Sequence, residues 1–162
     1  MLLTYSQVNN QLTSQDLLDC ISKTHNFERY IVAEEQHQNG GKHFHVLLES
    51  KTKFNIRNER SLDITFNEVT YHGNYQVTTH YKDAGKYIAK DNNYITNYPN
   101  FRDGEFLSVE DDLARVVAEK GPDEANQYYL NNYTTHALKR LSIQNSARYF
   151  NSLYHKIGRA HV

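Results

Sequence analysis

The run Gln38-Asn39-Gly40-Gly41 is the tightest constraint in the chain. Asn and Gly both accept the left-handed backbone that a sharp reversal demands. After it, His43-Phe44-His45-Val46-Leu47-Leu48-Glu49 alternates in character and reads as a strand, and before it Phe27–Ala33 reads as another. Strands on either side of an Asn-Gly turn predict an antiparallel hairpin. A hairpin alone is marginal in water, so the rest of the chain must supply further strands and a covering layer.

Those elements are legible. Met1–Ser6 suits a first strand, and Thr13 caps an amphipathic helix ending near Lys23. Ser50–Ser61 is a polar excursion around Phe54 and Ile56, followed by two short strands, Leu62–Phe66 and Val69–Gln76. Thr79–Asp91 reads as a Thr-capped helix of about three turns, weakened by Gly85. Tyr94–Thr96 is an edge strand, and Pro99 and Gly104 bracket a turn. Helices follow from Ser108 to about Lys120, over roughly 123–130, and from about Thr135 to Tyr149. The sum predicts an α+β fold: a central antiparallel sheet of about five strands flanked by helices, with further helices toward the C-terminus.

Composition narrows the class. With 162 residues and 38% apolar, the chain can bury a real core, which excludes wholesale disorder. No run of 18 apolar residues and no secretion signal occurs, so no membrane partner is expected. One Cys excludes an intramolecular disulfide or a Cys-rich zinc knuckle. The net charge of −1 hides opposing blocks. Gln36–Lys90 has eight basic and five acidic residues, a net of +3, while Asp103–Asn126 has two basic and eight acidic, a net of −6. A basic middle can steer a polyanion.

Two spacings carry chemistry. Side chains two apart on a strand share a face, so His43 and His45 can reach one divalent ion, and Glu35 lies across the turn from His43. A carboxylate there completes a His₂-carboxylate set with open positions, suited to Mn²⁺ or Mg²⁺ held against phosphate oxygens. Tyr87 and Lys90 stand three apart on a helix, which makes phenol and ammonium neighbours. A phenol with pKa ~10 is a poor nucleophile at neutral pH. A neighbouring cation favours the charge developing on it.

Four ordered stretches resemble the N-terminal nuclease domain of replication initiator (Rep) proteins of circular single-stranded DNA viruses, the geminivirus-like group of HUH endonucleases. They are Met1–Gln7, Val32–His45, Asn55–Gln76 with its Tyr71-His72-Gly73-Asn74-Tyr75-Gln76 segment, and Tyr87-Ile88-Ala89-Lys90-Asp91. The resemblance covers about residues 1–120. It implies a sheet related in topology to RNA-recognition modules. It also implies nicking of single-stranded origin DNA by Tyr87, giving a 5′-phosphotyrosine and a free 3′-OH, then rejoining during rolling-circle replication. Glu35, His43 and His45 would hold the ion, and Lys90 would assist Tyr87. Asp91 and His37 would be supporting residues. The DNA contacts expected are Thr4, Tyr5, Lys51, Lys53, Arg57, His72, Tyr75 and Lys86. The partners implied are a hairpin-loop origin with flanking duplex, and further copies of the full-length protein.

The family's full-length proteins add an ATP-driven helicase, and no G-x-x-x-x-G-K-[ST] loop occurs here. The expected organisation is a catalytic domain over 1–120, a truncated helical linker or oligomerisation segment over 121–155, and a non-native tail over 156–162. That tail, Lys156 to Val162, resembles the translation of a sequencing adapter, as in a reading frame that ran off its contig. The expected location is the host nucleus for a eukaryotic virus and the host cytoplasm otherwise. Two other readings stay open: a metal-dependent nuclease that hydrolyses DNA with water, and a non-catalytic single-stranded nucleic-acid binding module.

Overall fold

The Asn39-Gly40 turn closes the hairpin. The His37 N–H donates to the Gly41 carbonyl at 2.8 Å and the Gly40 N–H to the His37 carbonyl at 2.9 Å, with Gly40 at φ 81°. In this computed structural model the described residues are 1–142, 144, 147, 148 and 151. The stretch 156–162 lies outside them, as do 143, 145, 146 and 149 of the third C-terminal helix, which is described as helical from 134 to 142 and at 144, 147 and 148.

In chain order the elements are β1 (Leu2–Val8), α1 (Ser14–Ser22), β2 (Arg29–Gln36), β3 (Lys42–Glu49), β4 (Ile64–Phe66), β5 (Val69–Tyr71), β6 (Gly73–Gln76), α2 (Tyr81–Ile88) and β7 (Tyr94–Thr96). β8 (Phe101–Arg102), β9 (Glu105–Phe106), α3 (Val109–Lys120) and α4 (Pro122–Asn132) complete them. The fold is α+β. Its five-stranded antiparallel sheet runs β6-β1-β3-β2-β7, with β4–β5 and β8–β9 as separate small pairs. The strand expected over Val69–Gln76 is therefore two. β5 pairs with β4, and β6 joins the edge of the main sheet beside β1.

Period-two alternation sorts the sheet into two faces. Leu3, Tyr5, Val32, Phe44, Val46 and Leu48 pack with Leu17, Leu18 and Ile21 of α1. α1 is held at its start by a reciprocal capping box between Thr13 and Asp16. The other face gives Ile31, Ala33 and Leu47 to a smaller core with Ile88, Ala89, Tyr98 and Phe101. His43, His45 and Glu35 belong to this second face, the one α2 covers.

Two sequence expectations change here. Tyr5, expected at the DNA, is wholly buried in the α1 core and donates its hydroxyl to the Leu62 carbonyl at 2.6 Å. Burial pushes its phenol well above the usual tyrosine range. Tyr75, expected as a DNA contact, pairs with Leu3, so register directs it to the α1 face, opposite the histidines.

α2 is also shorter than expected. Its eight residues make roughly two turns, begun at His80 without a side-chain cap rather than at a capping Thr. Gly85 explains how so short a helix is held. A Cβ there would lie 2.7 Å from the Phe106 ring and 3.1 Å from Ile31 Cδ1. The glycine that weakens the helix intrinsically is what lets it press onto the sheet.

The chain divides into two compact units, one ending at Leu107 and the other beginning at Ser108, so α3 belongs to the second. Within that second unit Asp112 is fully buried. It accepts hydrogen bonds from Tyr128 and Tyr133 at 2.6 Å each and from Arg115 at 2.9 Å. Burial raises its carboxyl pKa, and the three donors outweigh that and leave it below the usual aspartate range.

Gly85→Ala should lower the unfolding free energy by about 1–3 kcal/mol through overpacking, against the ~1 kcal/mol that alanine gains in helix propensity. Chemical denaturation measures it. A more stable variant would mean that α2 does not sit this close to Phe106.

Candidate active site

β3 brings the two imidazoles to one face, and β2 brings the carboxylate to them. Glu35 is the register partner of His43, and Ala33 is the partner of His45. The small Ala33 leaves room beside His45, and Glu35 Oε2 accepts from His45 Nε2 at 2.9 Å. The other oxygen, Oε1, lies 3.1 Å from Lys90 Nζ. Lys90 stands just past the end of α2 and also caps the Tyr87 ring, 5.1 Å from its centroid. One carboxylate therefore ties the hairpin to the tyrosine helix. Tyr87 itself is 65% exposed and open to a substrate.

The charges follow from these contacts. The His45 hydrogen bond first, then that of Lys90, holds the Glu35 carboxyl below the usual glutamate range. The same Glu35 contact raises the Lys90 ammonium above the usual lysine range. Burial, then the neighbouring His37 and His45, lowers His43. That favours its neutral ring, the form in which an imidazole binds a metal.

The surrounding residues divide by place. His37 lies tilted against His43, with ring centroids 3.9 Å apart, and comes within 3.9 Å of Glu35, so it stands beside the set. Thr4 Oγ1 lies 3.3 Å from His45 Nδ1. Its hydroxyl can donate to the Nδ1 lone pair, which leaves the proton on Nε2 for Glu35. Asp91 is exposed next to Lys90. Lys86 is exposed on α2, with Glu105 3.9 Å away. Lys51 and Lys53 lie apart from the histidines, lining an apolar groove of about 430 Å³ with Met1, Phe54, Ile56 and Val77. Arg57 is exposed on the same excursion. The His72 Nδ1 is bound to Asp63 at 2.6 Å, which fixes its ring.

Gln7 belongs to the site and sequence reasoning missed it. The β1–β3 register is irregular between Tyr5 and Val8, and Gln7 takes φ 53° there. That bulge brings its side-chain amide nitrogen 3.5 Å from His43 Nε2. A Cβ on Gly41 would meet Gln7 Oε1 at 2.8 Å, so the second glycine of the turn makes room for this amide. The doubled glycine, and the place of Gln7 at the end of the first family-like stretch, were its signals in the sequence.

A pair of histidines on the sheet face that carries the tyrosine helix, in a sheet of this order, is the arrangement of the HUH-type endonuclease class. The family model described as Geminivirus Rep catalytic domain matches residues 1–103, and the chain belongs to that family. It is a Rep-type replication-initiator endonuclease.

Membership implies a divalent metal in general terms. Among the described residues no three His, Cys, Asp or Glu side chains are gathered into a metal cluster. The donor chemistry nonetheless fits, with two imidazoles and a carboxylate adjacent on one face.

His45→Ala and Lys90→Met should each raise the titration midpoint of the Glu35 carboxyl, the former more. A depressed carboxyl favours the folded ionised form above the ordinary glutamate pKa, and that advantage fades as pH falls through the depressed value. Carbon-detected NMR of the Glu35 side chain reads this. A midpoint unmoved in both variants would contradict the geometry.

Proposed function

We propose that Tyr87 is the nucleophile that cuts single-stranded origin DNA. Its phenolic oxygen attacks the scissile phosphorus, the P–O3′ bond breaks, and the leaving 3′ oxygen takes up a proton equal to the one the phenol gives up. The products are a 5′-phosphotyrosine and a free 3′-OH. Attack by a 3′-OH on the adduct reverses the exchange and rejoins DNA, so phosphodiester energy is conserved.

One observation carries this reading. Lys90 contacts both the Glu35 carboxylate and the Tyr87 ring, which couples the nucleophile's helix to the histidine hairpin and sets an ammonium beside the phenol. Glu35, His43 and His45 would hold the metal, Mn²⁺ or Mg²⁺, which when bound supplies Lewis-acid polarisation of the phosphate. Thr4 orients His45, and Gln7 lies against His43. The exposed Lys51, Lys53, Arg57 and Lys86 are phosphate contacts along the strand and its flanking duplex.

The helices beyond Leu107 would serve self-association. Val117, Leu130, Leu138 and Leu141 leave apolar side chains 43–61% exposed there. For a eukaryotic virus the place of action is the host nucleus.

Incubation with Mn²⁺ and single-stranded origin oligonucleotides should yield a covalent protein–DNA band. Tyr87→Phe should abolish it, and Lys90→Ala should slow its formation by about 10²–10³-fold, the scale for loss of one charge-stabilising donor. Chelation should stop cleavage. An adduct from Tyr87→Phe would sink the nucleophile assignment, and cutting without any adduct would favour hydrolysis by water.

A further inference from the structure

Beside α2, on the side of Lys86, lies a pocket of about 310 Å³ whose Asn92, Asp103 and Gly104 have no part in the chemistry above. It is lined by Lys86, Ala89, Lys90, Asn92, Asp103 and Gly104. One side is cationic. Lys86 and Lys90 stand four apart on and just after α2, so their side chains fall on one face. Lys86 is 71% exposed and only loosely engaged, 3.9 Å from Glu105. Lys90 reaches from this pocket to Glu35 and Tyr87, so pocket and nucleophile share a side chain.

The floor is backbone. Gly104 has φ 79°, and a Cβ there would sit 3.3 Å from the Ala89 carbonyl, so a flat group can approach the main chain closely. The far rim is polar and unspent. Asn92 and Asp103 both hold left-handed backbone, at φ 56° and 51°. Both are exposed, and among the described residues neither side chain has a hydrogen-bond or ion-pair partner.

Charge sorts what can occupy such a pocket. An anionic group belongs at the lysine end, since Asp103 repels it. A carboxylate only accepts, so whatever faces Asp103 must donate N–H. A nucleotide meets both demands, with phosphate at one end and a base edge at the other. Adenine, cytosine and guanine carry exocyclic amino donors, whereas the thymine N–H is flanked by carbonyl oxygens that a carboxylate repels.

We propose that this pocket is a nucleotide subsite for the substrate strand. It holds the nucleotide next to the scissile phosphate, with its phosphate on Lys86 and Lys90 and an amino-bearing base against Asp103 and Asn92. The inference rests on Tyr87 being the nucleophile, because Lys90 sets the pocket beside that side chain. It adds a base preference, exclusion of thymine, at one position adjoining the cut.

The test is covalent capture from a single-stranded DNA library randomised around the nick, in Mn²⁺, followed by sequencing of the captured strands. Wild type should deplete thymine about tenfold at one nucleotide adjoining the link. Asp103→Asn keeps a residue that tolerates left-handed backbone. It should still capture DNA but lose the depletion. Lys86→Gln should raise KM for every captured sequence alike, with kcat little changed. Capture without thymine depletion at either adjoining position, or depletion that persists in Asp103→Asn, overturns the subsite and leaves the nucleophile intact. No capture by folded wild type overturns the nucleophile reading and the subsite with it.

Discussion

In an antiparallel pair, sliding one strand by a single residue turns all of its side chains over, and the pairing of β2 with β3 is where that matters most. Glu35 opposite His43 puts a carboxylate and two imidazoles on one face. A slip would send Glu35 to the α1 side, where Glu34 now pairs with the buried Lys42 at 3.3 Å. Both faces resist it. Phe44, Val46 and Leu48 are wholly buried on one side, and Ile31, Ala33 and Leu47 on the other. Turning them over would expose apolar surface worth ~1.5–3 kcal/mol for each large side chain. The turn hydrogen bonds between His37 and Gly41 hold the same register from the closed end.

From that register the rest of the site follows by contact. Glu35 uses one oxygen on His45 and the other on Lys90. Lys90 in turn lies over Tyr87, so a helix remote in sequence answers to a carboxylate on the hairpin. A pair of this kind near the surface adds little to stability. Its consequence is positional. It holds an ammonium between a carboxylate and a phenol, where phosphate charge must be handled. The docking of α2 depends separately on Gly85, whose missing side chain lets the helix meet Phe106 and Ile31.

Much of the hairpin chemistry was legible in the chain because it is local. HxH spacing on a strand, a carboxylate across an Asn-Gly turn and YxxK around a helix end each depend on short-range geometry. The expected five-stranded sheet and the Thr13 cap have the same origin. Tyr5 was misplaced because an aromatic on an alternating strand looks alike on either face, and only its bond to Leu62, 57 residues away, fixes its side. The face that Tyr75 takes was not legible, because the break at His72 and the pairing of β6 with β1 decide its direction. The direction of Gln7 left no local signal, since the bulge that turns it arises from mismatch between two strands far apart in the chain.

The sequence by itself determined the residue types, the turn and the spacings, since period two and period 3.6 are properties of the backbone. That was enough to name Tyr87, His43, His45 and Glu35 as candidates. Tertiary structure alone decided which face β1 and β6 present, how close α2 lies to the sheet, and that Lys90 joins Glu35 to Tyr87. It alone also gathered Lys86, Asn92 and Asp103 around one pocket. These depend on contacts between segments distant in sequence, which are set by packing of the whole sheet and not by any local preference.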